Sequence, residues 1–356
     1  MDSLIKEIEI LPFNVPLKEP FQIALGEYRD SKNVLVKVYL DNGLIGIGEG
    51  SECGFVTGDI QETMLPALNY LKPLFIKTKI SKWRENMRAA KKLLTGHFSA
   101  FWALETALLD AYTKNLGLPL YQYLGGSRET IETDITIPIV SPEHAYELAE
   151  LNSKQGFDCF KIKVGHDLAE DFARVRSVAQ AVPDCRLRID ANQGYTPKQA
   201  EQFIQTMYNE GLNIELFEQP VKKHDLLGLR YVREHSPVPV AADEAVFNAQ
   251  DLLAVIRLQA ADIVNIKLAK SSGIVEALDM IALAKQSGMK LMIGCMLESN
   301  IGLAASVHLA CGTGEFSYLD LDSHLLLAEL PLAGGFQTQG KALSVFSDRF
   351  GLGIVL

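Results

Sequence analysis

The chain has 356 residues, 34 Lys and Arg against 44 Asp and Glu, and a formal net charge of −10. That acidic balance argues against a nucleic-acid partner, which needs clustered basic side chains facing phosphates, and no apolar run nears the ~18 residues that cross a bilayer. With 48% hydrophobic and 22% charged residues there is material for a large core, and the length suits one large domain plus a smaller one.

In chain order, residues 1–50 read as a strand meander. Ile5-Lys6-Glu7-Ile8-Glu9-Ile10 alternates with period two, and Val34–Leu40 is β-branched and apolar. Asp41-Asn42-Gly43 is a hairpin signal leading into Leu44–Glu49. Over 59–116 apolar residues recur at three and four, as in Ala100–Ala111, which is helical spacing. Gly117, Pro119, Gly125 and Gly126 interrupt it. Residues 1–120 are therefore expected to form a small α+β domain.

From about 130 onward, short strands alternate with helices. The expected strands are Asp134–Val140, Cys159–Val164, Arg186–Ile189, Ile214–Phe217, Pro239–Ala241, Ile263–Ile266, Leu291–Ile293 and Phe316–Leu319. Helical stretches such as Leu168–Val182, Pro197–Glu210, Ala249–Leu258, Ile274–Ser287 and Ile301–Ala310 lie between them. Eight such alternations predict a parallel α/β fold, a TIM-type (β/α) barrel over 121–332, rather than an open doubly wound sheet. No Gly-x-Gly-x-x-Gly follows a strand, so no dinucleotide site is expected. The Gly-rich segment 333–356 is expected to return and pack on the first domain.

Charged residues end the strands. Lys161 and Lys163 close the second, Asp190 the third, Glu218 the fourth, Asp243 the fifth, Lys267 the sixth, and Asp320 and Asp322 follow the eighth. From 163 through 190, 218 and 243 to 267 the steps are 27, 28, 25 and 24 residues, one βα unit each. A single Asp after a strand is commonly a helix N-cap. Charged groups after five consecutive strands, in register, are poorly explained by capping. They converge on the C-terminal mouth, where barrel active sites are built.

Asp190, Glu218 and Asp243 can share one hard divalent cation. All-oxygen ligation without nearby His or Cys favours Mg²⁺ or Mn²⁺ over Zn²⁺. A cation there would neutralise a substrate carboxylate and stabilise the ene-diolate left when its α-proton is removed. Lys163 and Lys267 stand on opposite sides of an eight-stranded ring and would bracket the α-carbon. One could deprotonate while the other reprotonates, inverting the centre. A basic lysine must be neutral, and neighbouring cations lower its pKa. Lys161, on the same face as Lys163, supplies such a charge and could hold a substrate carboxylate oxygen.

Lys-x-Lys, Asp-x-Asn, Glu-Gln-Pro, Ala-Asp-Glu and Asn-x-Lys in this order resemble the enolase superfamily, in its muconate lactonizing enzyme subgroup. The resemblance covers essentially the whole chain, including an N-terminal capping domain. It implies Mg²⁺ on Asp190, Glu218 and Asp243, acid/base lysines at 163 and 267, and the ene-diolate mechanism general to that superfamily. Asp320-Leu321-Asp322 looks like the Asp-x-Asp with which dipeptide epimerases bind a free α-ammonium through charge-assisted hydrogen bonds. Thr136, Cys295 and Met296 are further candidates for substrate contact, and Thr57-Gly58-Asp59 and Gly294–Ser299 are also family-like.

The implied activity is 1,1-proton transfer at the C-terminal residue of a dipeptide. Alternatives of the same superfamily are o-succinylbenzoate synthase, N-acylamino acid racemase and muconate cycloisomerase; a metal-stabilised binding protein is the non-enzymatic alternative. Family members acting on Ala-Glu carry an Arg where this chain has Gly26. A γ-carboxylate would lose its forked partner, and Phe21, Ile23, Phe55 and Val56 in the cap loops point to a small or apolar side chain.

The cysteines, at 53, 159, 185, 295 and 311, are odd in number and form no Cys-x-x-Cys pair, so neither a disulfide framework nor a thiolate zinc site is expected. The opening residues lack the basic and apolar regions of a signal peptide, so a cytoplasmic location is expected. A homo-oligomer is compatible with the sequence.

Overall fold

The computed structural model describes residues 2–356. Three antiparallel strands begin the chain: β1 (Ile5–Ile23), β2 (Gly26–Leu40) and β3 (Ile45–Gly50), in the order β1-β2-β3. β1 runs well past the expected Ile10, through Pro12, Pro16 and Pro20. Proline cannot donate to a ladder, and β1 tolerates three because it is an edge strand with a register shift between Pro16 and Phe21.

Helices α1 (Gln61–Leu71), α2 (Trp83–Leu93) and α3 (Phe98–Leu116) cover the sheet. α3 lies almost on the backbone of β3. A Cβ on Gly46 or Gly48 would stand 2.2 Å from the carbonyl oxygens of Ala107 and Ala103, so only glycine admits the helix there. Asp110, buried on α3, accepts from Ile47 N at 2.8 Å and Leu352 N at 2.7 Å, tying sheet, helix and chain end together. After the short α4 (Leu120–Tyr123) and β4 (Thr130–Glu132) the barrel begins.

Its strands are β5 (Ile135–Ile137), β6 (Cys159–Lys163), β7 (Arg186–Asp190), β8 (Ile214–Glu218), β9 (Val240–Ala242), β10 (Ile263–Ile266), β11 (Lys290–Ile293) and β12 (Tyr318–Leu319). They are parallel and lie side by side in chain order. β5 is shorter than expected because Pro138 has no N–H to continue the ladder.

The intervening helices include α5 (Pro142–Lys154), α6 (Leu168–Ala181), α7 (Pro197–Asn209), α8 (Leu226–His235), α9 (Ala249–Leu258), α10 (Leu268–Ser271), α11 (Ile274–Ser287), α12 (Asn300–Thr313) and α13 (Ser323–Leu326). Many start at side-chain caps that satisfy free N–H groups: Ser141, Asp167, Thr196, Asp225, Asn248 and Ser299. Inside the barrel, Leu216, Ala241, Ile263 and Met292 pack with Tyr318 as an apolar layer. The charged strand ends sit above it.

β5 and β12 are the two ends of the strand order. Their seam is joined by Asp134 N to Leu319 O at 3.3 Å, Leu321 N to Thr133 Oγ1 at 2.7 Å and Thr136 N to Asp322 Oδ2 at 2.6 Å.

Beyond the barrel, β13 (Ala333–Gly334) pairs with β16 (Ile354–Val355). β14 (Phe336–Gln339) pairs with β15 (Ala342–Val345), which pairs with β4. This segment thus touches both α3, through Leu352, and the strand leading into the barrel.

The first sheet is fixed over the barrel mouth. The Leu297 carbonyl after β11 accepts from Ser31 Oγ (3.0 Å), Asn33 Nδ2 (2.8 Å) and Ser51 Oγ (3.1 Å). Buried Glu49, at the end of β3, accepts from Ser299 N at 3.0 Å and Gly302 N at 2.9 Å at the start of α12. Among the described residues, no helix is long and apolar enough to cross a membrane.

Candidate active site

In register, β6 places Lys163 beside Asp190 of β7, and β7 places Asp190 beside Glu218 of β8. Asp243 follows β9 and Lys267 follows β10. One oxygen of each of Asp190, Glu218 and Asp243 lies within 4.8 Å of the others. All three residues are at most 1% exposed. Glu218 Oε2 is buried and takes no well-directed hydrogen bond, although Lys161 Nζ is 2.9 Å away. Three close, buried carboxylates with no imidazole or thiolate among them suit a hard octahedral cation such as Mg²⁺.

The lysines bond directly to these carboxylates. Lys163 Nζ is 2.6 Å from Asp190 Oδ2, and Lys267 Nζ is 2.8 Å from Asp243 Oδ2. β6 and β10 are four places apart in the row of eight, so the two lysines face each other across the mouth. Burial and Lys161 pull the Lys267 pKa down, but the Asp243, Glu218 and Asp320 carboxylates outweigh them and hold it above the ordinary lysine value. The neighbouring cations alone therefore do not produce the lowering expected from sequence. Burial, then Asp190, pushes the Glu218 carboxyl up to about 7.

Lys161 Nζ is committed to three carboxylates: Asp190 at 3.0 Å, Glu218 at 2.9 Å and Asp320 at 2.7 Å. It is 1% exposed. It bridges the cation site to the Asp-x-Asp pair. Those two aspartates have opposite environments. Burial raises both, but Lys161 brings Asp320 below the usual carboxylate range. Asp322, pushed by burial and then by Asp320, rises to about 6.

Asp320, Asp322, Lys163, Lys267, Asp243, Thr136, Cys295 and Met296 all line one cavity at the barrel mouth. Thr136 reaches Asp322 through its backbone N–H, and Cys295 Sγ lies 4.0 Å from Asp322 Oδ1. Met296 N donates to Glu298 Oε1 at 2.9 Å.

From the cap, Phe21, Ile23 and Val56 line the same cavity, together with Tyr28, Leu297 and Leu326. Phe55 does not. Its ring is 51% exposed and stands edge-on to Tyr28 at 5.5 Å. It covers Gly26 instead, where a Cβ would lie 2.4 Å from the ring.

Several neighbours were not legible as site residues. Lys270, one helical turn after Lys267, is buried, and its Nζ lies 2.5 Å from Asp243 Oδ1. Asn265 Nδ2 donates to Glu218 Oε1 at 2.8 Å, and Asn192 Nδ2 to Glu244 Oε1 at 3.2 Å. The Asn-x-Lys, Asp-x-Asn and Asp-Glu motifs contain three of these residues, so the motif spacing was the available signal. Asp134 and Arg188 gave none.

A (β/α) barrel whose strand ends bring together three carboxylates able to share a cation and two opposed lysines, under a strand-rich cap, has the layout of an enolase-type site. Residues 137–356 match the enolase C-terminal domain-like family, and residues 5–125 match the mandelate racemase/muconate lactonizing enzyme N-terminal domain. The chain belongs to the mandelate racemase/muconate lactonizing enzyme family of the enolase superfamily.

It is 40% identical over 353 residues to the L-Ala-D/L-Glu epimerase of Clostridium acetobutylicum, covering 99% of this chain and 98% of that one. The substrate-liganded L-Ala-D/L-Glu epimerase of Bacillus subtilis superimposes with a TM-score of 0.96 at 38% identity, over 99% of each chain. The dipeptide epimerase of Enterococcus faecalis, solved with Mg and L-Leu-L-Tyr, superimposes with a TM-score of 0.95 at 36% identity, over 99% of this chain and 100% of that one.

Proposed function

We propose that this protein is a Mg²⁺-dependent dipeptide epimerase that inverts the α-carbon bearing the free carboxylate. The observation that carries this reading is the placement of Lys163 and Lys267 on opposed strands, with the cation carboxylates between them and Asp320 and Asp322 to one side.

In this reading Asp190, Glu218 and Asp243 hold the ion. A Mg²⁺ ion held there would supply positive charge that offsets the carboxylates holding Lys267 up and favours loss of a proton beside a bound carboxylate. Asp320 and Asp322 take the dipeptide's ammonium group and fix its orientation. One lysine removes the α-proton from its face, and the other donates a proton from the opposite face. Either direction leaves both lysines exchanged in protonation state, and solvent resets them. Residues 1–120 form the cap that selects the side chain, and 121–332 form the barrel that performs the proton transfer. Phe21, Ile23, Val56, Leu297 and Leu326 give the side-chain wall an apolar character. With Gly26 in place of an arginine, an apolar C-terminal residue is favoured over Glu.

The test is incubation of the Mg²⁺-loaded protein with a panel of L,L-dipeptides in D₂O, following loss of the α-proton signal and appearance of the diastereomer. Exchange and inversion are expected at the C-terminal residue, fastest with apolar side chains. Absence of exchange across a broad panel would refute the reading. A substrate without a free amine leaves Asp322 idle, so Asp322→Asn separates the two reaction types: dipeptide turnover falls steeply, whereas an N-acylamino acid racemase would be nearly unaffected.

A further inference from the structure

A third carboxylate lies beside Asp320 and Asp322. Asp134, just before β5, is 1% exposed. Its Oδ2 accepts from Arg188 Nη1 at 2.8 Å, while its Oδ1 is buried with no hydrogen-bond partner. One oxygen from each of Asp134, Asp320 and Asp322 lies within 4.8 Å of the others. A buried carboxylate oxygen left without a donor is costly, so its occurrence calls for a ligand.

The local charges are one positive group short. Lys161 faces Asp320 and Arg188 faces Asp134, but Arg188 is shared with Glu215 at 2.9 Å. Asp322 faces the Thr136 N–H and hydroxyl and a distant Cys295 thiol, and among the described residues makes no ion pair of its own. A primary ammonium would supply one charge and three donors. Acceptors at about 2.8 Å from a tetrahedral nitrogen stand roughly 4.6 Å apart, inside the span these oxygens occupy. Burial, then Asp320, raises the Asp134 carboxyl well above its usual range against the lowering pull of Arg188, as expected for a buried carboxylate beside a second one.

We propose that Asp134, held in place by Arg188, is the third carboxylate of the ammonium pocket, so that the substrate's amine is taken by three acceptors rather than two. The proposal rests on the dipeptide epimerase reading. It makes the barrel seam part of the recognition site, since the Asp134 N–H and an Arg188 guanidinium N–H both bind the Leu319 carbonyl.

The test compares the wild type with Asp134→Asn and Arg188→Lys. Each is saturated with Mg²⁺ and assayed by α-proton exchange on one free-amine dipeptide and on its N-acetylated counterpart. A hydrogen bond to a charged group sets the scale. Asp134→Asn should raise KM for the free-amine dipeptide about ten- to hundredfold, change kcat by less than about threefold, and cut the preference for the free amine by a similar factor. Arg188→Lys keeps the charge and loses the fork. It should shift KM in the same direction by less, and it keeps the test standing if Asp134→Asn does not fold. An unchanged KM, or a parallel loss on both substrates, would overturn the proposal. So would binding of a second equivalent of Mg²⁺ to the wild type, measured calorimetrically and lost in Asp134→Asn. If the wild type itself exchanges no dipeptide, the functional reading fails first, and that outcome is distinct from all of these.

Discussion

Gly294 and Lys267 leave no room for a side chain between them: a Cβ on Gly294 would lie 2.9 Å from Lys267 Cε. It would also lie 2.8 Å from Asn265 Oδ1, the side chain that donates to Glu218 through its amide. Gly294→Ala should therefore displace the lysine rather than the fold as a whole. Overpacking costs about 1–3 kcal/mol, and misplacing a reacting group by an ångström costs on the order of a hundredfold in rate. The expected result is a kcat lower by ten- to hundredfold, with a melting temperature reduced by only a few degrees. Both are measurable on the purified protein.

Lys267→Ala should separate the two halves of the reaction. With only Lys163 left, the α-proton of one stereoisomer can still be removed and returned to the same face. Deuterium should enter that isomer without inversion, and the opposite isomer should stay inert. Proton NMR in D₂O reads both outcomes, and equal exchange from the two isomers at the wild-type rate would contradict the two-base assignment.

The Gly26–Phe55 contact makes side-chain preference a two-residue property. Gly26→Arg alone meets the Phe55 ring, where even a Cβ would be 2.4 Å away. It should confer no activity on Ala-Glu while the ring occupies that space. Adding Phe55→Ala removes the obstruction. The double variant should then raise kcat/KM for Ala-Glu relative to an apolar dipeptide, read from parallel progress curves.

His308 supplies a pH dependence of stability that is independent of catalysis. It is 1% exposed, its Nδ1 accepts from Tyr121 N at 3.1 Å, and its Nε2 faces the Gly335 carbonyl at 3.2 Å. That pattern requires the neutral ring with its proton on Nε2. Burial lowers its pKa to about 4, against 6.5 for an ordinary histidine. Between those values the unfolded chain binds more protons, so this group's contribution is complete above about 6.5 and is lost as pH falls toward 4, at up to about 1.4 kcal/mol per pH unit. Melting curves across that window should be flatter for His308→Gln, which retains an acceptor for Tyr121.

The barrel's alternation and its charged strand ends were readable because periodicity and one-per-unit spacing are local properties of the chain. Asp190, Glu218, Asp243, Lys163 and Lys267 stood out without coordinates because each ends or directly follows its own strand. The extent of β1 was not legible: three prolines ordinarily argue against a strand, and only its edge position reconciles them. Phe55 shows the limit of reading loops, since a cap-loop aromatic can pack outward on Tyr28 as readily as inward. Asp134 and Arg188 were invisible for another reason. Neither ends its strand in a motif, and they become neighbours of Asp320 only when the first strand is brought beside the eighth.

That closure has a wider implication. Most staves of this ring are zipped by main-chain ladders, which tolerate almost any side chain. The first and last are clasped largely by the Thr133 hydroxyl, the Asp322 carboxylate and the Arg188 guanidinium. A substitution at Asp322 would therefore act twice over, once on the pocket it lines and once on the seam that keeps the cylinder shut.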